Sequence, residues 1–244
     1  MKNQFEPLQI WLSDNVGITL STKQTDQFRR YLEILQEWNQ RFNLVADAES
    51  ETIISRHFLD SLTCLQSRVI KESITLLDIG AGAGFPGIPL KLVIPDLNLT
   101  LVESIQKKCR FLEQLISKLG LKKVKILCDR AEKLGQMQEH REQYDVVVTR
   151  ALAELPVAAE LSLPLVKLQG TYHAMLGADT EEQLAAAQMA ISLCGGIIEK
   201  TITVANPNPD KRRYLILIKK AVHTPEQYPR RAGIPQKRPL VVSR

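Results

Sequence analysis

The chain has 244 residues, of which 44% are hydrophobic and 24% are charged, and its formal net charge is +5 at pH 7. This composition is typical of a folded globular protein and excludes a largely disordered chain, and the length allows one large α/β domain with an appendage. The four cysteines and four histidines do not group at CxxC or metal-ligand spacings, so we expect neither a disulfide framework nor a metal site.

The first 70 residues show helical periodicity. Apolar side chains recur at spacings of three and four over residues 25–42, which predicts an amphipathic helix, and a second helix is predicted over residues 50–68. We therefore expect an N-terminal helical cap over residues 1–70. The start of the sequence has no apolar signal core, and no apolar run is long enough to cross a bilayer, so we expect a cytoplasmic protein without membrane association.

From residue 74 the pattern changes to short apolar runs that alternate with helical stretches, as expected for parallel strands buried on both faces. The predicted strands are residues 74–79, 99–103, 124–128, 144–149 and 170–176, and the predicted helices are 86–93, 106–119, 153–166 and 180–192. Two further strands, joined by residues 206–210, predict an antiparallel hairpin. We expect an α/β core over residues 71–222 with a mostly parallel, seven-stranded sheet and helices on both faces.

A glycine-rich turn follows the first of these strands. Gly80, Gly82 and Gly84 alternate directly after Asp78, and such a turn lets the backbone approach a ligand closely. Gly82, Gly84 and Gly87 also satisfy the GxGxxG pattern of dinucleotide folds, so two ligand classes compete. A carboxylate at Asp78 would repel a pyrophosphate and attract the ammonium group of a methionine moiety. The turn therefore favours S-adenosylmethionine over NAD.

The second predicted strand ends at Glu103, about twenty residues after the turn. Its two carboxylate oxygens match the two hydroxyls of a ribose, and open α/β folds bind ligands at this edge of the sheet. Ser104 and Ile105 continue the same edge. The pattern predicts a nucleoside site here.

The next two strand ends supply further candidates. Ala131 and Glu132 follow the third strand, where they could accept a hydrogen bond from the amino group of adenine, but a helix capping box formed by Asp129 and Glu132 explains the same spacing. The fourth strand ends at Arg150, and the motifs typical of amino-group and pyrimidine-C5 methyltransferases are absent from this edge. Arg150 is a fixed cation suited to a carboxylate, a phosphate or a guanine edge, and we give it a positioning role.

His57, Asp60 and Ser61 lie within one predicted helical turn and superficially resemble a hydrolase triad. Side chains that rise from one face of a helix cannot form the relay of nucleophile, base and acid, and no nucleophile elbow is present. We expect a structural hydrogen-bond cluster instead.

The C-terminal end is strongly basic. Residues 211–244 contain ten Lys or Arg and one Glu, so this end carries +9 and the preceding residues carry −4. A basic end predicts a polyanionic partner such as RNA, although a solvated tail that aids solubility is the alternative. Four prolines after residue 223 predict an extended, unpacked tail over residues 223–244. The candidate RNA-binding residues are Arg212, Arg213, Arg230, Arg231, Lys237 and Arg238.

Three motifs, over residues 56–62, 78–89 and 228–235, together resemble the family of ribosomal RNA small subunit methyltransferase G, also called glucose-inhibited division protein B; the string GAGFPGIPL is quite specific. The resemblance covers nearly the whole chain. It implies a Rossmann-like methyltransferase fold, S-adenosylmethionine as methyl donor, and the N7 atom of one guanine in 16S ribosomal RNA, free or in the small subunit, as acceptor.

Carried over to this sequence, the cofactor contacts of the family are Gly80, Phe85, Glu103 to Ile105, Ala131, Glu132 and Arg150. We expect a monomer. A non-catalytic nucleic-acid-binding module and a small-molecule methyltransferase remain alternative functions, because the core alone does not choose the acceptor.

Overall fold

The computed structural model describes residues 4–177, 179–205 and 212–241, and these residues fold around a seven-stranded sheet. The strands are β1 (Thr75–Ile79), β2 (Asn98–Val102), β3 (Val124–Leu127), β4 (Tyr144–Arg150), β5 (Val166–Leu176), β6 (Gly196–Thr203) and β7 (Tyr214–Lys220). Their order across the sheet is β3-β2-β1-β4-β5-β7-β6. The strands β1 to β5 run parallel, and β7 runs antiparallel to both β5 and β6. The predicted mostly parallel sheet with a hairpin is confirmed, while the hairpin loop at residues 206–210 lies outside the described residues.

Helices cover both faces of the sheet. The α-helices are α1 (Glu6–Val16), α2 (Thr22–Asn39), α3 (Ser50–Thr52), α4 (Asp60–Leu62), α5 (Gly87–Val93), α6 (Gln106–Leu119), α7 (Ala131–Leu134), α8 (Leu155–Ser162), α9 (Thr180–Leu193) and α10 (Ile234–Lys237). Successive side chains of a strand point to opposite faces. Leu76 accordingly packs with the N-terminal helices, α5 and α6, whereas Leu77 packs with α8 and α9.

The N-terminal helices form a cap whose core is continuous with that of the sheet. Ser21 and Gln24 make a capping box at the start of α2, where the helix begins three residues earlier than predicted. The second predicted helix contains a π-helix, Ile53–Leu59, between α3 and α4. Helix α1 was not predicted. Within the part of the chain that the structure describes, no helix combines the length and apolar character needed to cross a bilayer.

The helix predicted over residues 153–166 is shorter than expected. Helix α8 ends at Ser162, and a 3-10 turn, Leu163–Leu165, carries the chain into β5, which begins at Val166. Pro164 lies in that turn. A proline inside a helix removes a hydrogen bond and clashes with the preceding turn, so the helix stops before it.

The expectation of an unpacked tail is wrong. The tail contains the short helix α10, and the side chains of Tyr228 and Pro235 are buried. Arg230 makes an ion pair with Glu160, whose side chain is fully buried in α8. A buried carboxylate requires a partner, and the tail supplies it.

The expectation of no disulfide is also wrong. Cys109 and Cys128 form a disulfide, with Cα atoms 6.1 Å apart. Their positions in the chain differ by 19, so no short cysteine motif marks the pair. They meet because the parallel crossover from β2 to β3 returns the end of β3 to the first turn of α6.

Candidate functional site

The carboxyl ends of β1, β2, β3 and β4 border a cavity of about 360 Å³, which we call the first cavity. Five of the predicted residues line it, namely Gly80, Glu103, Ser104, Ala131 and Glu132. Asp129, Arg130 and the turn at residues 151–153 complete much of the wall. The topology therefore brings four separate strand ends to one ligand-sized space.

The glycine turn after β1 forms one side of this cavity. Gly80 has a φ of +74°, and a Cβ atom there would lie 2.6 Å from Cδ1 of Leu152, so the turn requires glycine. The hydroxyl of Tyr31 in the cap donates a hydrogen bond to the carbonyl of Ala83. The cap thus holds the turn in place from behind.

Asp78 lies beneath the turn and does not line the first cavity. Its side chain is 1% exposed, and Oδ2 accepts a hydrogen bond of 2.8 Å from the backbone N–H of Gly87. The other oxygen, Oδ1, has no hydrogen-bond partner among the described residues. Burial raises the pKa of Asp78 to about 7, because desolvation disfavours the charged carboxylate.

Glu103 connects the glycine turn to the second strand end. Oε2 accepts from the N–H of Gly82 at 3.0 Å, and Oε1 accepts from the N–H of Ile105 at 2.8 Å. These two backbone donors fix the plane of the carboxylate. Each oxygen keeps a second acceptor position, so the group can still receive two hydroxyl donors from the cavity.

The side chain of Glu132 faces the tail. Its Oε1 accepts a hydrogen bond of 2.9 Å from the N–H of Gly233. The alternative capping box at this position is not formed, because Arg130 is the N-cap of α7 and no side-chain cap is made there. Asp129 instead pairs with Lys133.

Arg150 borders a second cavity of about 430 Å³, which meets the first at Ala151 and Ala153. Its guanidinium donates to Oδ2 of Asp60 at 2.9 Å and to Nδ1 of His57 at 2.8 Å. These bonds connect the end of β4 to the cap. Ser61 is the third member of the hydrogen-bond cluster that the sequence predicted. Its hydroxyl donates a hydrogen bond to the backbone carbonyl of His57.

His57 is a neutral hydrogen-bond acceptor in this arrangement. Burial, the largest cause, and the guanidinium groups of Arg150 and Arg56 together lower the pKa of His57 to about 4. Its ring stacks on Phe85 with centroids 4.9 Å apart, and the guanidinium of Arg150 lies 5.1 Å from the centroid of the same ring. His57 and Arg150 therefore both pack against Phe85 at this corner of the second cavity.

The remaining cofactor candidates lie outside both cavities. Gly84 packs against Tyr31, and Phe85 is buried in the aromatic stack. Ile105 is 49% exposed at the start of α6. Gly82 reaches the site only through its hydrogen bond to Glu103.

The basic candidates separate into three groups. Arg213 lines the second cavity, where Nε lies 3.4 Å from Oδ1 of Asp60. Arg230 is bound to Glu160 through Nε and Nη2, so its charge is paired with a carboxylate inside the protein. The other four are exposed, and they are Arg212, Arg231, Lys237 and Arg238.

Sequence reasoning missed two parts of the site. Gly233, Pro235 and Gln236 of the tail line the first cavity, and His57 and Asp60 are the partners of Arg150. Both are contacts between residues that lie far apart in the sequence, so no local spacing predicts them. In the residues covered by the structure, no group of three or more His, Cys, Asp or Glu side chains is arranged to hold a metal ion.

The sheet order, the glycine turn after β1 and the acid after β2 define a Rossmann-like methyltransferase. Solved structures share this fold: a SAM-dependent methyltransferase from Aquifex aeolicus has a TM-score of 0.54 at 16% identity, covering 76% of this chain and 98% of that one. MtNAS, solved in complex with MTA and tNA, has a TM-score of 0.56 at 16% identity and covers 82% of this chain and 70% of its own.

The chain belongs to the rRNA small subunit methyltransferase G (GidB) family, which it matches over residues 24–214. Proteins named ribosomal RNA small subunit methyltransferase G from Halalkalibacterium halodurans and Oceanobacillus iheyensis are 46% and 45% identical to it over 224 residues. Each match covers 92% of this chain and 94% of the relative. The resemblance noted in the sequence is confirmed, and the protein is an enzyme that transfers methyl groups.

Proposed function

We propose that the protein transfers a methyl group from S-adenosylmethionine to the N7 atom of one guanine in 16S ribosomal RNA. The observation that carries this proposal is the pair of adjoining cavities at the carboxyl edge of the sheet, which meet at Ala151 and Ala153. The first suits a nucleoside because it contains Glu103. The second has three arginines against one carboxylate, which suits a base with attached phosphates. Family membership supports ribosomal RNA as the acceptor.

The residues of the first cavity fit S-adenosylmethionine. When bound, this cofactor supplies a sulfonium methyl group that is open to attack by a nucleophile. Glu103 would bind the ribose hydroxyls, and Ala131 and Glu132 lie where the base would pass. Ser104 and the backbone of Gly80 complete the wall. Gly82, Gly84, Phe85 and Ile105 act by shaping the turn and by holding Glu103.

Asp78 acts on the cofactor from beneath the turn. Its unpaired Oδ1 is a buried acceptor next to the glycines, and a carboxylate there favours the positively charged methionine end of the donor over a pyrophosphate. We therefore assign Asp78 a supporting role, through its hydrogen bond to Gly87 and through its charge.

The reaction requires no general base at the second cavity. Guanine N7 carries a free lone pair at neutral pH, so it can attack the methyl carbon directly, in line with the departing sulfur. His57 stays neutral and its Nδ1 is occupied by Arg150, which agrees with a reaction that removes no proton before attack. The work of the site is to place the base and the donor in register, and Arg150 positions the cap against the strand end for this purpose.

The exposed cations provide contacts to RNA phosphates. Arg231, Lys237 and Arg238 lie on or beside α10, and Gly233 of the same segment borders the first cavity. Arg213 lines the second cavity, on the other side of the site, and the exposed Arg212 precedes it in the chain. Counterions released from these phosphates would make binding salt-dependent. Arg230 is excluded from this set because it is paired with Glu160.

Cap, core and tail of one chain supply both cavities, so we propose that the enzyme acts as a monomer in the cytoplasm, on 16S ribosomal RNA or the small ribosomal subunit. The target guanine would have to leave its stack to reach the second cavity.

Calorimetry and methyl transfer test the proposal. The purified protein is expected to bind S-adenosylhomocysteine but not NADH, and to transfer labelled methyl groups from S-adenosylmethionine to 16S ribosomal RNA. Glu103→Gln places an amide N–H opposite a backbone N–H and should weaken S-adenosylhomocysteine binding by about tenfold or more. Glu113→Gln, on the exposed side of α6, is the matched control and should bind as the wild type does. Binding of NADH alone, or no methyl transfer to the RNA, would refute the proposal.

A separate titration tests the phosphate contacts. Replacing Arg231 and Lys237 with Gln should lower the slope of log affinity for RNA against log salt by about one for each residue. Lys71→Gln, exposed just before β1 at the opposite edge of the sheet, is the control for the loss of charge. A slope equal to that of the wild type in the double variant would exclude these contacts.

A further inference from the structure

The tail is fastened to the core at several points. The guanidinium of Arg141 donates to four backbone carbonyls, those of Gly135 and Tyr228 at 2.8 Å, Thr224 at 2.6 Å and Pro225 at 3.1 Å. Three of these carbonyls belong to the tail. An arginine that donates to four backbone carbonyls fixes the path of the chain on both sides of it.

A second anchor follows a few residues later. Arg230 is held at Glu160 by three hydrogen bonds, from its backbone N–H at 2.9 Å, from Nε at 2.8 Å and from Nη2 at 2.6 Å. Because Glu160 is fully buried, this ion pair is expensive to break once it has formed. The segment that comes after it therefore starts from a fixed point.

From this anchor the chain turns into the first cavity. Gly233 has a φ of +81°, and its N–H donates to Oε1 of Glu132. Gly233, Pro235 and Gln236 then line the cavity, together with Ala131 and Glu132. The bond from Gly233 to Glu132 thus places the wall formed by the tail beside the end of β3, where the nucleoside base would lie.

We propose that Gly233, Pro235 and Gln236 of the tail are part of the cofactor-binding site and close it on the side of the base. Pro235 supplies an apolar surface for the base, and the carboxamide of Gln236 supplies a donor and an acceptor at its edge. This inference rests on the proposed function for the identity of the cofactor. It goes beyond that function because it assigns the basic C-terminal segment to cofactor binding as well as to RNA.

The arrangement also predicts coupling between the two substrates. The segment that closes the first cavity carries the exposed cations Arg231 and Lys237, so phosphates bound there would hold the wall against the cofactor. A ligand that stabilises the closed tail increases the affinity of the other ligand by the same factor.

The test compares full-length variants by calorimetry with S-adenosylhomocysteine. The double substitution Pro235→Ala and Gln236→Ala should weaken binding about tenfold, because it removes contact area and hydrogen-bonding groups from the wall. Ile234→Ala is the matched control, because Ile234 lies on α10 between lining residues but does not itself line the cavity. The control should bind within about twofold of the wild type. Equal affinities for the double variant and the wild type would overturn the inference and leave the proposed function standing, whereas a wild type that does not bind would overturn both.

Hydrogen exchange on the wild-type protein provides a second readout that does not depend on how the variant folds. S-adenosylhomocysteine should slow exchange of the backbone amides of residues 231–234 and 236, including the Gly233 N–H that is bonded to Glu132. Exchange in this segment that is unchanged by the ligand, while the glycine turn after β1 is protected, would contradict the inference.

Discussion

Replacing Asp78 with Asn changes how the stability of the protein depends on pH. The carboxyl group is almost fully buried, and one of its oxygens accepts from the N–H of Gly87 while the other has no partner among the described residues. An asparagine side chain has nearly the same shape, and its oxygen can still accept from Gly87. The substitution therefore removes the titration and leaves the packing largely intact.

The size of the effect follows from the pKa. Burial raises the pKa of Asp78 from its ordinary value of 3.8 to about 7. Between these values the folded protein keeps a proton that the unfolded chain has lost, so stability is lost as pH rises from about 4 through about 7. A pKa difference of this size corresponds to about 4 kcal/mol. The Asn variant does not lose stability as pH rises in this range. Its unpaired amide N–H destabilises the folded state by about 1–3 kcal/mol at every pH.

Urea unfolding at pH 5, 6, 7 and 8 measures the effect. As pH rises over this range, the free energy of unfolding of the wild type should fall by a few kcal/mol relative to that of Asp78→Asn. The control is Asp14→Asn, at an exposed position of α1, where the difference should stay nearly constant. A difference for Asp78→Asn that is as flat as that of the control would refute the reasoning.

Three further predictions concern other charged contacts. Arg150→Ala should destabilise the protein by about 2–4 kcal/mol, because it leaves the nearly buried carboxylate of Asp60 with the longer contact to Arg213 in place of its ion pair with Arg150. Adding Asp60→Asn should recover part of this loss in a double-mutant cycle, and strictly additive effects would contradict the pairing. The pKa of His57 is lowered to about 4, so stability should fall as pH drops from about 6.5 toward 4, and His57→Gln should flatten the melting temperature between pH 7 and pH 4.5. Arg230→Gln should cost about 3–5 kcal/mol in urea unfolding because it leaves Glu160 buried without a partner, and a second substitution, Glu160→Gln, should restore most of it.

Much of the fold could be predicted because its signals are local. The parallel strands are short apolar runs, and the glycine turn needs positive φ at Gly80, so both appear directly in the sequence. The position of Glu103 followed from topology, since carboxyl ends of parallel strands meet at one edge of a sheet. Glu103 does line the first cavity.

The features that were missed depend on contacts between distant segments. Arg230 and Glu160 are 70 residues apart in the sequence. Their ion pair, in which the tail neutralises a buried carboxylate of α8, is visible only in the folded structure. Prolines in the tail were interpreted as a sign of exposed, extended chain, but Pro235 is buried at the first cavity. Proline restricts the backbone in either environment, so its presence does not distinguish a packed tail from a free one.

The bond from Arg150 to His57 and Asp60 was missed for a similar reason. Arg150 ends β4, whereas its partners lie about 90 residues earlier in the cap. The sequence placed His57 and Asp60 together on one helical turn and Arg150 at the sheet edge, but it contained no signal for how the cap is oriented on the sheet. The interpretation as a structural cluster therefore named the residues without finding their partner.

Mass mapping of 16S ribosomal RNA from cells that lack this gene tests the central claim most directly. One 7-methylguanine should be missing from this RNA. It should return when the wild-type gene is restored, and return to a lower level with the Glu103→Gln variant. A full set of 7-methylguanines in the RNA of the deleted strain would contradict the claim.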